Sequence, residues 1–321
     1  MPSAMPSDRS TRAYANADDL TRFILDEMFI ALKQPPHGWA RRLFGPLLKL
    51  PARRFAVLMA EVDRRVALNG IVDAAQWLLA QIVTGIEARG TDNIPRTGPV
   101  LVASNHPGAY DVIALITAIG RDDIAIIASG VPFTQSLIAT SPHLIYINPD
   151  DRGAPDRMVA IRSGIRHLQN HGALLIYPTG IVDPDPDIAP GLEESIGTWS
   201  GSLDIFLRRV PGTCVVPAIV SSVLSKRYFN NPLVKIPKTT WEKRKLAEMI
   251  QISRQMIAKG PIDLTPRLTF GEAACGELLR DSEGRYLPAI MARARQTLAE
   301  HCLTLPPSHR SLPAPAGTTP R

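Results

Sequence analysis

From about residue 86 the chain alternates short apolar runs with longer amphipathic stretches. The apolar runs at 99–104, 123–128, 144–148, 173–177, 214–221 and 266–270 are short, bounded by Gly, Pro, Asn or Asp, and read as strands. Between and after them, 109–119, 155–170, 201–209, 240–258 and 284–301 carry helical periodicity, the first stopping at Gly120. Strands spaced by helices predict an α/β fold with a mixed central sheet flanked by helices. Ahead of it, Asp18 to Thr84 is helical in pattern, with breaks expected at Pro35-Pro36, Pro46, Pro51 and Gly70. The resulting division is a disordered start at 1–16, an N-terminal helical segment at 17–84, an α/β domain at 85–302 and a disordered tail at 303–321. Segment 183–198, acidic and proline-rich, is expected to be a surface loop and a candidate lid.

Candidate chemistry concentrates in Ser104-Asn-His-Pro-Gly-Ala-Tyr-Asp111, directly after the first strand of the alternating region. Side chains on a helix meet at separations of three and four. A separation of five suits His106 on the loop and Asp111 in the first helical turn, reaching back. A carboxylate on one imidazole nitrogen fixes the tautomer and leaves the other nitrogen free to take a proton. Pro107 presets the backbone near a helix start, and Gly108 allows close approach.

Asn105-His106, four residues and Asp111 resemble the first motif of the glycerolipid acyltransferase superfamily. Leu144-Ile-Tyr-Ile-Asn148, Leu174-Leu-Ile-Tyr-Pro-Thr-Gly180 and Val215-Val-Pro-Ala-Ile219 resemble its second, third and fourth, and Gly85–Pro95 its lead-in strand, so the likeness spans roughly 82–275. Three positions depart from it. Thr179 stands where the family has Glu, Ile181-Val182 where it has Thr-Arg, and Pro149 where an Arg is expected, with Arg152 and Arg157 as alternatives. The resemblance implies a fold like glycerol-3-phosphate acyltransferase. It implies His106 as general base with Asp111 orienting it, and Asn105, Gly108, Arg152, Thr179 and Gly180 around the substrates. It implies an acyl group moving from acyl-CoA or an acyl carrier protein to a hydroxyl or amine of a lysophospholipid or other lipid acceptor, with no further cofactor and no metal. The alternative is a catalytically weakened relative that binds acyl chains or membranes. Backbone donors near Gly108 or Gly180 are candidates to hold the oxyanion.

Composition narrows the setting. The 321 residues are 45% hydrophobic, enough for a sizeable core, and carry a net charge of +6. Between Gly38 and Gly70, seven basic residues face two acidic ones and are interleaved with Trp39, Leu43, Phe44, Leu47, Leu48, Leu50 and Phe55. Such interleaving suits a helix on an anionic membrane surface. No nucleic-acid-binding signature accompanies the charge. A second basic cluster, from Lys226 to Lys245, could meet coenzyme A or an acyl carrier protein. Neither an apolar leader nor a spanning segment is visible. Cys214, Cys275 and Cys302 are few, odd in number and widely spaced, predicting reduced thiols. The expected location is the cytoplasm, peripherally on the inner face of the membrane. On the 240–258 helix, Met249, Ile250 and Ile257 are expected in the core. His167 and His171 have zinc-compatible spacing, but no third ligand is near them in sequence, and Gly197–Gly201 has the wrong spacing for a nucleophile elbow.

Overall fold

The computed structural model describes residues 13–305, apart from 33, 36–37, 148–153, 237–238 and 259. The segments 1–12 and 306–321, which hold most of the two ends expected to be disordered, lie outside the described residues. Eight strands form one sheet: β1 (Glu87–Arg89), β2 (Val100–Ser104), β3 (Ile124–Ser129), β4 (Leu144–Ile147), β5 (Ala173–Ile176), β6 (Cys214–Ser221), β7 (Arg267–Phe270) and β8 (Ala274–Cys275). Their order is β1-β7-β6-β2-β5-β3-β4, with β8 also on β6. Pairings are parallel except β6 with β7 and β6 with β8. The helices are α1 (Ala17–Ala31), α2 (Trp39–Asn69), α3 (Ile71–Ile82), α4 (Asp111–Ile119), α5 (Pro132–Gln135) and α6 (Ala154–Gln169). After them come α7 (Leu192–Ile196), α8 (Ser202–Arg209), α9 (Lys226–Phe229), α10 (Thr240–Ala258) and α11 (Leu287–Thr304). The mixed α/β architecture matches the pattern of the sequence.

Period-two alternation builds two apolar layers. Val100, Val102, Leu175, Val216 and Val220 pack beneath α3 and α4, against Leu78, Ala114, Leu115 and Ile119. Leu101, Ala103, Leu174, Ile176 and Ile219 point the other way, toward Leu168, Leu203, Phe206 and Ile290. Each fully buried aliphatic side chain contributes about 1.5–3 kcal/mol. A proline is tolerated in the central strand β6 because Pro217 lies between the residues paired with β8 and those paired with β7. On that side its carbonyl accepts from Gly271 N at 2.9 Å, and no ladder donor is required of it.

Three expectations change here. Pro46 and Pro51 do not break the chain, because α2 runs through both for 31 residues. Ala52, Ala56, Val62 and Val66 are buried along it, and packing against neighbouring helices outweighs the missing backbone bonds. Cys214 and Cys275 form a disulfide rather than remaining reduced thiols. The β6–β8 register sets them opposite each other, a proximity that 61 residues of sequence separation conceals. Finally, the 183–190 segment is not a free surface loop. Asp183 and Asp185 are buried, and the Asp185 carboxylate accepts from Asp187 N, Ser222 N and Val223 N at 3.0, 3.2 and 3.3 Å.

Candidate active site

The chain leaves β2, β5 and β6 at the same sheet edge, so residues 105–110, 177–183 and 222–225 converge beyond the carboxyl ends of parallel strands. This is where clefts form in open α/β sheets. Asn105 is fully buried and exchanges two hydrogen bonds with the Val220 backbone, 2.9 Å from Nδ2 to O and 2.8 Å from N to Oδ1. Its amide is spent on fastening the β2 exit to β6, so Asn105 does not face the cleft as a substrate contact. His106 follows, 31% exposed, with Nδ1 2.8 Å from Asp111 Oδ2, while Asp111 is fully buried.

Asp111 is held from three directions. Gly108 N donates to Oδ2 at 3.0 Å, Tyr177 Oη donates to Oδ1 at 2.8 Å, and Oδ2 meets the imidazole. The Tyr177 ring also stacks on His106, with centroids 4.4 Å apart. Burial and the Asp111 charge push the Tyr177 phenol well above its ordinary range, which keeps it a donor. Burial draws the His106 imidazolium down, but Asp111, Glu248 and Asp183 outweigh it, so its pKa sits above the ordinary histidine value.

The loop after β5 clamps the turn from a second side. His106 N donates to Asp183 Oδ2 at 2.8 Å, and Asp183 N returns a bond to His106 O at 2.8 Å. Thr179 Oγ1 and Ser195 Oγ also donate to the Asp183 carboxylate, the former at 3.1 Å. Burial raises the Asp183 pKa above the usual carboxylate range. Thr179 thus serves the loop, and Gly180 is exposed beside it at φ +67°. Gly108 N and Gly180 N are already committed, to Asp111 Oδ2 and Tyr177 O, so an oxyanion donor from these turns would be a neighbouring N–H. Arg152 and Pro149 lie outside the described residues. Among the described residues, no group of three or more His, Cys, Asp or Glu is placed to hold a metal ion. His167 Nε2 lies 2.9 Å from the carbonyls of Asp123 and Ala173.

The third side is α10, of which the sequence pattern places Met249, Ile250 and Ile257 in the core. Its inward face is polar. Arg244 donates to Asp183 O and Pro107 O, and Glu248 accepts from Ala109 N at 3.0 Å. Gln251 bridges Ser225 N and Val223 O, and Gln255 meets Tyr110 Oη. These four recur at separations of four, three and four, one stripe of a helix. Ile257 is 55% exposed and Met249 and Ile250 are half-buried. The stripe itself was the legible signal: polar residues at helical spacing on a helix that must pack. Burial pushes the Glu248 carboxyl up to about 7, against the Ala109 N–H and the charges of His106 and Arg244.

The family model described as Acyltransferase matches residues 85–221, the segment that supplies His106, Asp111 and Tyr177. Residues 85–221 of this chain form an acyltransferase domain. No curated protein matches this acyltransferase. Among solved structures, it is similar to the 1-acyl-sn-glycerophosphate (LPA) acyltransferase PlsC from Thermotoga maritima. That likeness has 15% identity and a TM-score of 0.40, over 88% of this chain and 96% of that one. Arg244 and Glu248 of the acyltransferase lie outside the matched segment.

Proposed function

We propose that this acyltransferase moves a fatty acyl group from the thioester of acyl-CoA or an acyl carrier protein to a hydroxyl, or an amine, of a lipid acceptor. His106 Nε2 takes the acceptor proton as the oxygen attacks the thioester carbon. The new C–O bond forms, the C–S bond breaks, and the departing thiolate recovers the proton. Asp111 holds the ring in the required tautomer and stabilises the imidazolium. The reading rests on one observation, the 2.8 Å contact between Nδ1 of a partly exposed His106 and a buried Asp111.

The acceptor reaches this site from a membrane surface in the same proposal. Trp39, Leu43, Leu47 and Leu50 lie along one face of α2 and are 72, 63, 74 and 51% exposed. Arg42 and Lys49 are exposed beside them. Among the described residues no helix is long and apolar enough to cross a bilayer, so this face supports lying on one.

The test is transfer from radiolabelled acyl-CoA to lysolipid acceptors. His106→Ala is expected to lose about 10²–10⁴-fold in kcat with its melting temperature retained. Full activity in that variant rejects the mechanism.

A further inference from the structure

The walls around His106 are acidic. Five of the backbone N–H groups in the turns next to the imidazole are already bonded. His106 N is bound by Asp183, Gly108 N by Asp111, Ala109 N by Glu248, Gly180 N by Tyr177 O and Asp183 N by His106 O. Three of those acceptors are carboxylates. A phosphate held by a protein is met by free N–H or hydroxyl donors, lysines or arginine forks. Among the described residues, Arg244 sits beside this turn, but it is buried and turned onto the carbonyls of Asp183 and Pro107. Asp111, Glu248 and Asp183 are the charged groups that act most strongly on the imidazole.

Glu248 differs from the other two carboxylates. Both Asp111 oxygens and both Asp183 oxygens have protein donors. Glu248 is half-buried and spends Oε1 on Ala109 N. It sits so close to the turn that a Cβ on Gly108 would come within 2.0 Å of Oε1, so any larger residue there would displace the carboxylate. No described residue donates to Oε2.

We propose that the acceptor carries no phosphate beside its reacting hydroxyl, and that Glu248 is the specificity-determining residue, repelling phosphorylated acceptors while tolerating neutral or amine-bearing ones. The proposal rests on His106 as the base and names the acceptor class for that site. A dianion brought beside Asp111, Asp183 and, above its pKa of about 7, an ionised Glu248 meets like charge in a partly desolvated cleft, and the five N–H groups named above are already taken. A neutral glycerol hydroxyl meets no such barrier, and an ammonium group is attracted.

The experiment compares kcat/KM for 1-oleoylglycerol, sphingosine and 1-oleoylglycerol 3-phosphate, each in neutral detergent micelles, with palmitoyl-CoA and with palmitoyl-acyl carrier protein as donors. We expect the phosphate-free acceptors to lead by about tenfold or more. Glu248→Gln can keep the Ala109 bond through its amide oxygen while losing the charge. It should narrow the ratio several-fold, chiefly by lowering KM for the phosphorylated acceptor. A wild-type preference for the phosphorylated acceptor overturns the proposal, and its loss in Arg152→Ala would locate the phosphate there. A ratio unchanged in Glu248→Gln overturns the role of Glu248. If no acceptor is acylated and no thiol is released from either donor, the acyl-transfer reading falls first.

Discussion

Tyr177 grips Asp111 with its hydroxyl at 2.8 Å while its ring lies 4.4 Å from the ring of His106. One side chain therefore fixes both members of the pair. Tyr177→Phe keeps the stacking and removes the donor from a buried carboxylate oxygen. An unmet buried acceptor costs about 1–3 kcal/mol. The expected result is a lower melting temperature and a kcat reduced about tenfold, since each ~1.4 kcal/mol of barrier is a factor of ten. A kcat equal to wild type would show that Asp111 needs no second anchor.

The pH profile follows from the charges on His106. A general base works in its neutral form, and Asp111, Glu248 and Asp183 hold the imidazolium pKa above its ordinary value. Activity should rise with pH through a point above the usual histidine value. Glu248→Gln removes one of the carboxylates stabilising the imidazolium, so the rising limb should move to lower pH in kcat/KM profiles. A limb that stays in place would mean the titrating group is not His106.

Membrane attachment is testable apart from catalysis. Replacing Trp39, Leu43 and Leu47 by Ala removes much of the exposed apolar face of α2 while leaving its buried residues untouched. Co-sedimentation with anionic phosphatidylglycerol vesicles should fall sharply, and turnover of a water-soluble short-chain acceptor should persist. Undiminished sedimentation would move the membrane contact elsewhere.

A second histidine bears on stability rather than catalysis. His301 is fully buried, with Nδ1 2.8 Å from Thr269 Oγ1 and Nε2 2.8 Å from Ser221 Oγ. Its Ser–His contact is sealed from substrate. Burial, then the nearby Arg267, lowers its pKa to about 4. Between that value and the unfolded histidine value near 6.5 the unfolded chain binds the extra proton, so stability falls as pH drops through this window. The total is on the order of 3 kcal/mol. Urea unfolding at pH 7 and pH 5 should show it, and His301→Gln should flatten the slope whatever its absolute stability.

The sequence displayed local features well and long-range ones poorly. The strands from β2 to β7 and the His106–Asp111 reach follow from periodicity and from spacing within one turn. The disulfide between Cys214 and Cys275 could not be read because it depends on the β6–β8 register. The resemblance places Asn105 around the substrates, whereas its buried amide is bonded to the Val220 backbone, a partner 115 residues away that the sequence does not reveal. Acidic, proline-rich composition around Asp183 and Asp185 predicts a solvated surface loop. Here each carboxylate finds backbone donors at the exits of β2 or β6. The prolines of α2 misled in the opposite sense, since tertiary packing carried the helix across them.

The polar stripe of α10 has a consequence for where this enzyme ends. Residues 85–221 hold His106 and Asp111, the proposed base and its orienter, but the turn bearing them is braced from Arg244 to Gln255, downstream of that segment. A fragment cut at the family boundary would keep the reactive groups and lose the splint that sets them, so the working catalytic unit extends through α10.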